Sequence, residues 1–215
     1  ERDVVYPYFS FDRIKFEEDF AHQDLVRDYI SDEALFNEIL MELEAAPADQ
    51  PSFIFTVSMQ NHGGYTKSFE NFEPDVFIDE DGEFEAVDQY LSLIKETDRA
   101  FEAFIRALDA LEEETIVLFF GDHQPNNNTA SELEVLDSYT EDPSARFIVP
   151  YLFWANYNID EGVGQTTSLN FLAGDLLGLA GLESTPYLSF LNDLQEEIPV
   201  ITQDYFITVD GEQYY

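Results

Sequence analysis

Asp122 and His123 set a carboxylate beside an imidazole, directly after Gly121. Mixed oxygen and nitrogen donors suit a divalent metal, and they fit zinc, manganese or iron better than calcium. The preceding run Thr115-Ile116-Val117-Leu118-Phe119-Phe120 is rich in β-branched and aromatic residues and reads as a fully buried strand. Open parallel sheets bind their ligands just beyond the carboxyl ends of their strands, so position and chemistry agree. The tripeptide also suits a plain turn, with Asp122 as its cap and His123 as an ordinary loop residue.

A second strand end repeats the pattern. Pro51 through Met59 is another apolar run, and it leads into Gln60-Asn61-His62-Gly63-Gly64-Tyr65. The chain has 3 histidines. His62 and His123 both fall in the first loop residues after these two runs, where a rigid scaffold concentrates sites. The expectation is one shared site. His62 and the Asp122–His123 pair should lie on one edge of a parallel sheet, within roughly 10 Å, because neighbouring strands are ~4.8 Å apart. His22 lies among acids and apolar residues without a loop signal, and reads as structural.

The elements that must hold these loops follow from capping and periodicity. Ser31 caps a helix whose first turn carries Asp32 and Glu33, and Leu35, Phe36, Ile39, Leu40 and Leu43 form its apolar stripe. A longer helix runs from about Ala86 to Glu112. Thr97 and Asp98 interrupt its stripe on the side facing the core, where a polar group needs a hydrogen-bond partner. Asp98 is read as structural. Strand 53–58, this helix and strand 115–120 then form a crossover with a parallel strand pair. Phe147 to Trp154 reads as a further strand that Pro150 consigns to an edge or a bulge. A helix capped at Thr167 or Ser168 stops at Gly181, and Asp210-Gly211 marks a terminal hairpin. The expected fold class is α/β, a mostly parallel sheet flanked by helices, with a small antiparallel C-terminal hairpin. It is expected as one domain over 1–215, with the α/β layer in 1–180 and the hairpin region in 181–215.

Composition narrows the function. Lys and Arg number 9 against 46 Asp and Glu, a net charge of −37. Such a surface excludes nucleic-acid binding and disfavours docking on anionic lipid. It draws divalent cations toward any cleft. Self-repulsion must also destabilise the compact state, so the melting temperature should rise from low to moderate salt as screening sets in. A flat or falling melting curve would mean that the repulsion is compensated locally. Cysteine is absent, which excludes disulfides and thiolate metal sites. No apolar stretch is long enough to span a bilayer, and the chain as given is expected to be soluble. It opens at Glu1-Arg2-Asp3, which reads as a piece of a longer protein.

The ordered set of motifs resembles the lipoteichoic acid synthase family, phosphoglycerol transferases of the sulfatase and alkaline phosphatase superfamily. The set comprises Ser31 to Phe36, Phe53 to Tyr65, Tyr90 to Asp98, Gly121-Asp122-His123, Pro150 to Asn156 and Thr167 to Asn170. The resemblance implies that Asp122 and His123 are ligands of a catalytic divalent cation, manganese first, with zinc or magnesium as alternatives. It implies that His62 is catalytic and contacts the substrate phosphate or its leaving oxygen. A threonine nucleophile and a glutamate ligand would come from an N-terminal half that no segment here matches. The chain is therefore expected to be the C-terminal part of an extracellular catalytic domain, inactive alone. Its parent would be anchored at the outer face of the cell membrane. The implied partners are that missing half and a glycerophospholipid substrate, with self-association through the exposed half-domain surface. A phosphatase, sulfatase or phosphoethanolamine transferase on the same scaffold, or a non-catalytic acidic domain, stays open.

Overall fold

The computed structural model describes residues 2–47, 49–79, 83–125, 133 and 147–215. Two compact units divide the chain: Glu1–Ala110 with Gln124–Ile148, and Leu111–His123 with Val149–Tyr215.

The first unit opens with α1 (Arg2–Val5) and a 3-10 turn, Tyr6–Phe9. A hairpin follows, β1 (Leu25–Val26) against β2 (Tyr29–Ile30), antiparallel. The helix α2 (Asp32–Ala45) starts where the capping signal puts it, with the Ser31 hydroxyl accepting from the Ala34 N–H at 3.1 Å. Its Ala34, Leu35 and Phe36 are buried. They face α3 (Glu85–Asp109), and Phe36 stacks on Phe104 with ring centroids 4.8 Å apart. Val87, Leu93 and Leu108 of α3 are 0%, 0% and 1% exposed, so the apolar stripe is the core of this unit.

An ion cluster ties the N-terminal segment to α2. The Lys15 ammonium lies 2.5 Å from Glu38 and 2.6 Å from Glu42, and Arg13 also reaches Glu42. Lys15 holds the buried Glu38 carboxyl below the usual glutamate range. A depressed folded-state pKa gives stability that is present above about pH 4.5 and lost as pH falls through the lower folded value. Glu38→Gln should therefore cost about 1 kcal/mol at pH 7, discounted for the partial exposure of Lys15. That difference should shrink below pH 4.5 in paired urea titrations. A difference independent of pH would mean that Glu38 acts through packing alone.

The second unit carries β3 (Ile116–Phe120) and β4 (Tyr151–Ala155), paired antiparallel with Val117 opposite Trp154. α4 (Leu172–Leu179) follows a 3-10 turn, and α5 (Pro186–Glu197) follows α4. Phe171, Leu172 and Leu191 are this unit's buried core. The terminal hairpin forms as read: β6 (Phe206–Ile207) pairs with β7 (Gln213–Tyr214), and β5 (Val200–Ile201) adds a third strand. Gly211, at φ +80°, turns it, a conformation in which a Cβ would be strained.

Three expectations are corrected. Every strand pairing among the described residues is antiparallel, so a mostly parallel sheet is not what these residues form. Residues 51–59 carry no strand ladder, and Phe53, Ile54 and Phe55 are 71%, 40% and 50% exposed. An apolar run signals burial, but a strand also needs hydrogen-bonding neighbours. In α3 it is Thr97 that is buried, while Asp98 is exposed.

Candidate functional site

The end of β3 positions Asp122 and His123. Beyond Phe120, the Gly121 N–H donates to the Pro150 carbonyl at 3.0 Å, extending the ladder by one bond. A Cβ on Gly121 would lie 3.1 Å from Val149 Cβ, a tight contact that would make the Val149 side chain give by a few tenths of an ångström. The chain then leaves the strand and presents two exposed side chains, 73% and 74% accessible, with Asp122 Oδ2 3.6 Å from His123 Nε2. Two donors each ~2.1 Å from one zinc-sized ion lie roughly 3.4–3.6 Å apart, so donor types and spacing fit two ligands of one cation. Among the described residues, no group of three or more His, Cys, Asp or Glu is gathered to hold a metal. Any cation held here would take at most these two ligands from the described residues. Asn126, Asn127 and Asn128, further along this loop, lie outside the described residues.

His62 sits in the first unit, in a loop fixed from below. Gln60 is 2% exposed, and its Oε1 accepts from the Asp32 N–H at the start of α2 at 2.9 Å. Thr97 is the hub. Its hydroxyl donates to Asp32 Oδ2 at 2.6 Å and accepts from Asn61 Nδ2 at 2.8 Å, with Gln60 Nε2 at 3.4 Å. Burial pushes the Asp32 carboxyl above the usual aspartate range, and the Thr97 hydroxyl pulls the other way. Tyr65, after the glycine pair, donates to the Asn61 carbonyl at 2.6 Å. Burial pushes its phenol up to about 12. The His62 ring itself is exposed, with its Nδ1 3.1 Å from the Tyr29 hydroxyl.

The two predicted halves of the site thus lie in different units: Asp122 and His123 side by side at one strand end, and His62 on a loop supported by α2, α3 and the first hairpin. Of the supporting residues, Arg27 and Tyr29 carry no signal in the sequence, while Asp32 reads only as a first-turn acid and Gln60 only as part of the loop motif. Thr97 gave a usable signal as a polar residue within an apolar stripe.

The Sulfatase family model matches residues 1–182. The chain belongs to the Sulfatase family. The superfamily inferred from the ordered motifs is the one this match identifies. A Rhizobium meliloti (strain 1021) protein named for cyclic beta-1,2-glucan modification is 27% identical over 98% of this sulfatase-family chain and 34% of its own length. The capsular polysaccharide biosynthesis protein RkpI of the same organism is 28% identical over 69% of the chain and 25% of its own length. The fold is shared with Streptococcus pyogenes phosphoglycerol transferase GacH, solved in complex with sn-glycerol-1-phosphate. That match has TM-score 0.73 and 19% identity, and covers 99% of this chain and 52% of that one. The chain therefore spans about a third of its first curated relative and half of its structural neighbour. Among the described residues, no helix is long and apolar enough to cross a membrane.

Proposed function

We propose that this sulfatase-family chain contributes to a metal-dependent phosphoglycerol transferase, moving the group from a membrane glycerophospholipid to a glycan hydroxyl. The observation that carries this reading is the Asp122–His123 pair, 3.6 Å apart at the end of β3, in a chain sharing the fold of a phosphoglycerol transferase. The glycan acceptor is supported by two relatives named for glucan modification and for capsular polysaccharide biosynthesis.

Asp122 and His123 would hold the divalent cation, manganese first, with zinc or magnesium as alternatives. When bound, that ion would draw charge from a phosphoryl oxygen and ease deprotonation of an attacking hydroxyl. His62 is assigned as the group that donates to a phosphate or leaving oxygen, within hydrogen-bond reach once substrate binds. The nucleophile is assigned to the part of the catalytic domain that this chain does not match, and a phosphoglycerol-enzyme ester would precede transfer. That part is the proposed partner of the exposed apolar side chains Tyr8, Phe9, Phe53 and Phe55. Without it, the same face would favour self-association. The proposed location is the outer face of the cell membrane, where such donors and acceptors meet.

The test uses the complete polypeptide that carries this sequence, with manganese, phosphatidylglycerol and a β-glucan acceptor, followed by phosphorus NMR. A new glycerophosphoryl diester on the glucan is expected. Release of inorganic phosphate or sulfate from matching esters, or transfer of phosphoethanolamine, would replace this reading with a sister activity. The 215-residue chain alone should give no product. Metal-dependent turnover of a chromogenic phosphodiester by the chain would show that it carries its own nucleophile.

A further inference from the structure

Arg27 is held in two unfavourable ways at once. It sits in the turn between β1 and β2 at φ +58°, a left-handed conformation that a residue with a long side chain rarely adopts. It is also only 4% exposed, and burial drives its guanidinium below the usual arginine range. Its Nε is buried without a hydrogen-bond partner. A strained backbone and a buried cation are each unfavourable, and they persist together only where the surroundings over-determine them.

What Arg27 holds is the His62 loop. Its Nη2 donates to the Gln60 carbonyl at 2.8 Å and to the His62 carbonyl at 2.6 Å, so one nitrogen bridges the carbonyls on either side of Asn61. The guanidinium lies over the rings of Tyr65, Phe69 and Tyr29, at 5.3, 5.7 and 5.8 Å from their centroids. Aromatic faces partly replace the water that the cation has lost. Two residues along the same hairpin, the Tyr29 hydroxyl lies 3.1 Å from His62 Nδ1, with ring centroids 5.5 Å apart. A phenol donates more readily than it accepts, and the bond at one imidazole nitrogen sets which nitrogen carries the proton.

We propose that the β1–β2 hairpin is the positioning device for His62. Arg27 pins the carbonyls on either side of Asn61, and Tyr29 fixes the imidazole in its Nε2–H tautomer. His62 is thereby prepared to donate from Nε2 to an anionic oxygen of a phosphodiester. This rests on the donor role assigned to His62 above. Arg27 and Tyr29 are positioning residues, since both act through His62.

The experiment is nitrogen-15 NMR of the His62 ring in the 215-residue chain, beside Tyr29→Phe and Arg27→Lys. In the unmodified chain, neutral His62 should be mainly the Nε2–H tautomer. In Tyr29→Phe the tautomer ratio should fall about tenfold, the effect of one net hydrogen bond. In Arg27→Lys, the amides of 60–63 should exchange at least about tenfold faster while those of α2 and α3 keep their protection, as expected of local opening. An Nδ1–H tautomer, or an unchanged ratio in Tyr29→Phe, would overturn the proposal. Equal acceleration in α2 and α3 would reduce Arg27 to a general stabiliser. If Arg27→Lys does not fold, Tyr29→Phe decides. In the complete polypeptide both variants should lower kcat with KM unchanged within about twofold. Absence of any transferase activity would overturn the functional reading, and the tautomer measurement would still decide the positioning role.

Discussion

Replacing Thr97 by valine will destabilise the first unit by about 2–3 kcal/mol, the cost of leaving buried polar partners without their hydrogen bonds. Valine matches threonine in shape, so no cavity opens. What is lost is the hydroxyl that donates to Asp32 Oδ2 at 2.6 Å and accepts from Asn61 at 2.8 Å. Asp32 is 0% exposed, so water cannot replace that donor. Thr97→Ser keeps the hydroxyl and removes one methyl group, for about 1 kcal/mol. The loss in Thr97→Val should also depend on pH. Burial already raises the Asp32 pKa above 3.8, and removing the hydroxyl raises it further. For a carboxyl whose folded pKa is raised, stability is fully present below its unfolded value and is lost as pH rises through the folded value. The valine variant should therefore lie closest to the parent near pH 4 and fall away from it toward pH 8. Equal losses for valine and serine at all pH values would show that Thr97 acts by packing, and that no polar network holds the His62 loop.

Under the proposed function, Asp122→Asn should lower phosphoglycerol transfer by the complete polypeptide about a thousandfold or more. Losing the cation removes several kcal/mol of charge stabilisation from the phosphoryl group, and each ~1.4 kcal/mol is tenfold in rate. Stability should change by less than about 0.5 kcal/mol, because the side chain is 73% exposed and its neighbour Gly121 keeps its backbone bond. Raising the manganese concentration should restore part of the activity, since the amide oxygen remains a weak ligand. A variant that transfers phosphoglycerol at the parental rate would remove Asp122 from the metal site.

The legible parts of this molecule were those with local causes. Ser31-Asp32-Glu33 announced a capped helix, and the cap forms with the Ser31 hydroxyl on Ala34. Asp210-Gly211 announced a hairpin, and Gly211 turns it at positive φ. Thr115 to Phe120 announced a strand whose far end presents Asp122 and His123. Pairing partners were not legible. Phe53-Ile54-Phe55 has the composition of a central strand, yet nothing in those residues encodes which neighbour completes the ladder, and the run is exposed here. The direction of β3 relative to β4 was hidden for the same reason. α5 was missed although Thr185-Pro186 is a start signal, with the Thr185 hydroxyl accepting from Leu188 at 3.3 Å. Arg27 was beyond reach, because an arginine in a two-residue turn reads as a surface charge until the fold buries it.

Manganese titration followed by NMR of the histidine rings tests the metal assignment most directly. His22, His62 and His123 act as three reporters in one spectrum, and His22 controls for ions drawn loosely to a surface of charge −37. His123 should broaden at the lowest manganese concentration, well before His22, and Asp122→Ala should remove that lead. Binding should be weak, because two protein ligands leave most of the coordination sphere to water. If His123 broadens no earlier than His22, or keeps its lead in Asp122→Ala, the pair at the end of β3 is not the metal site.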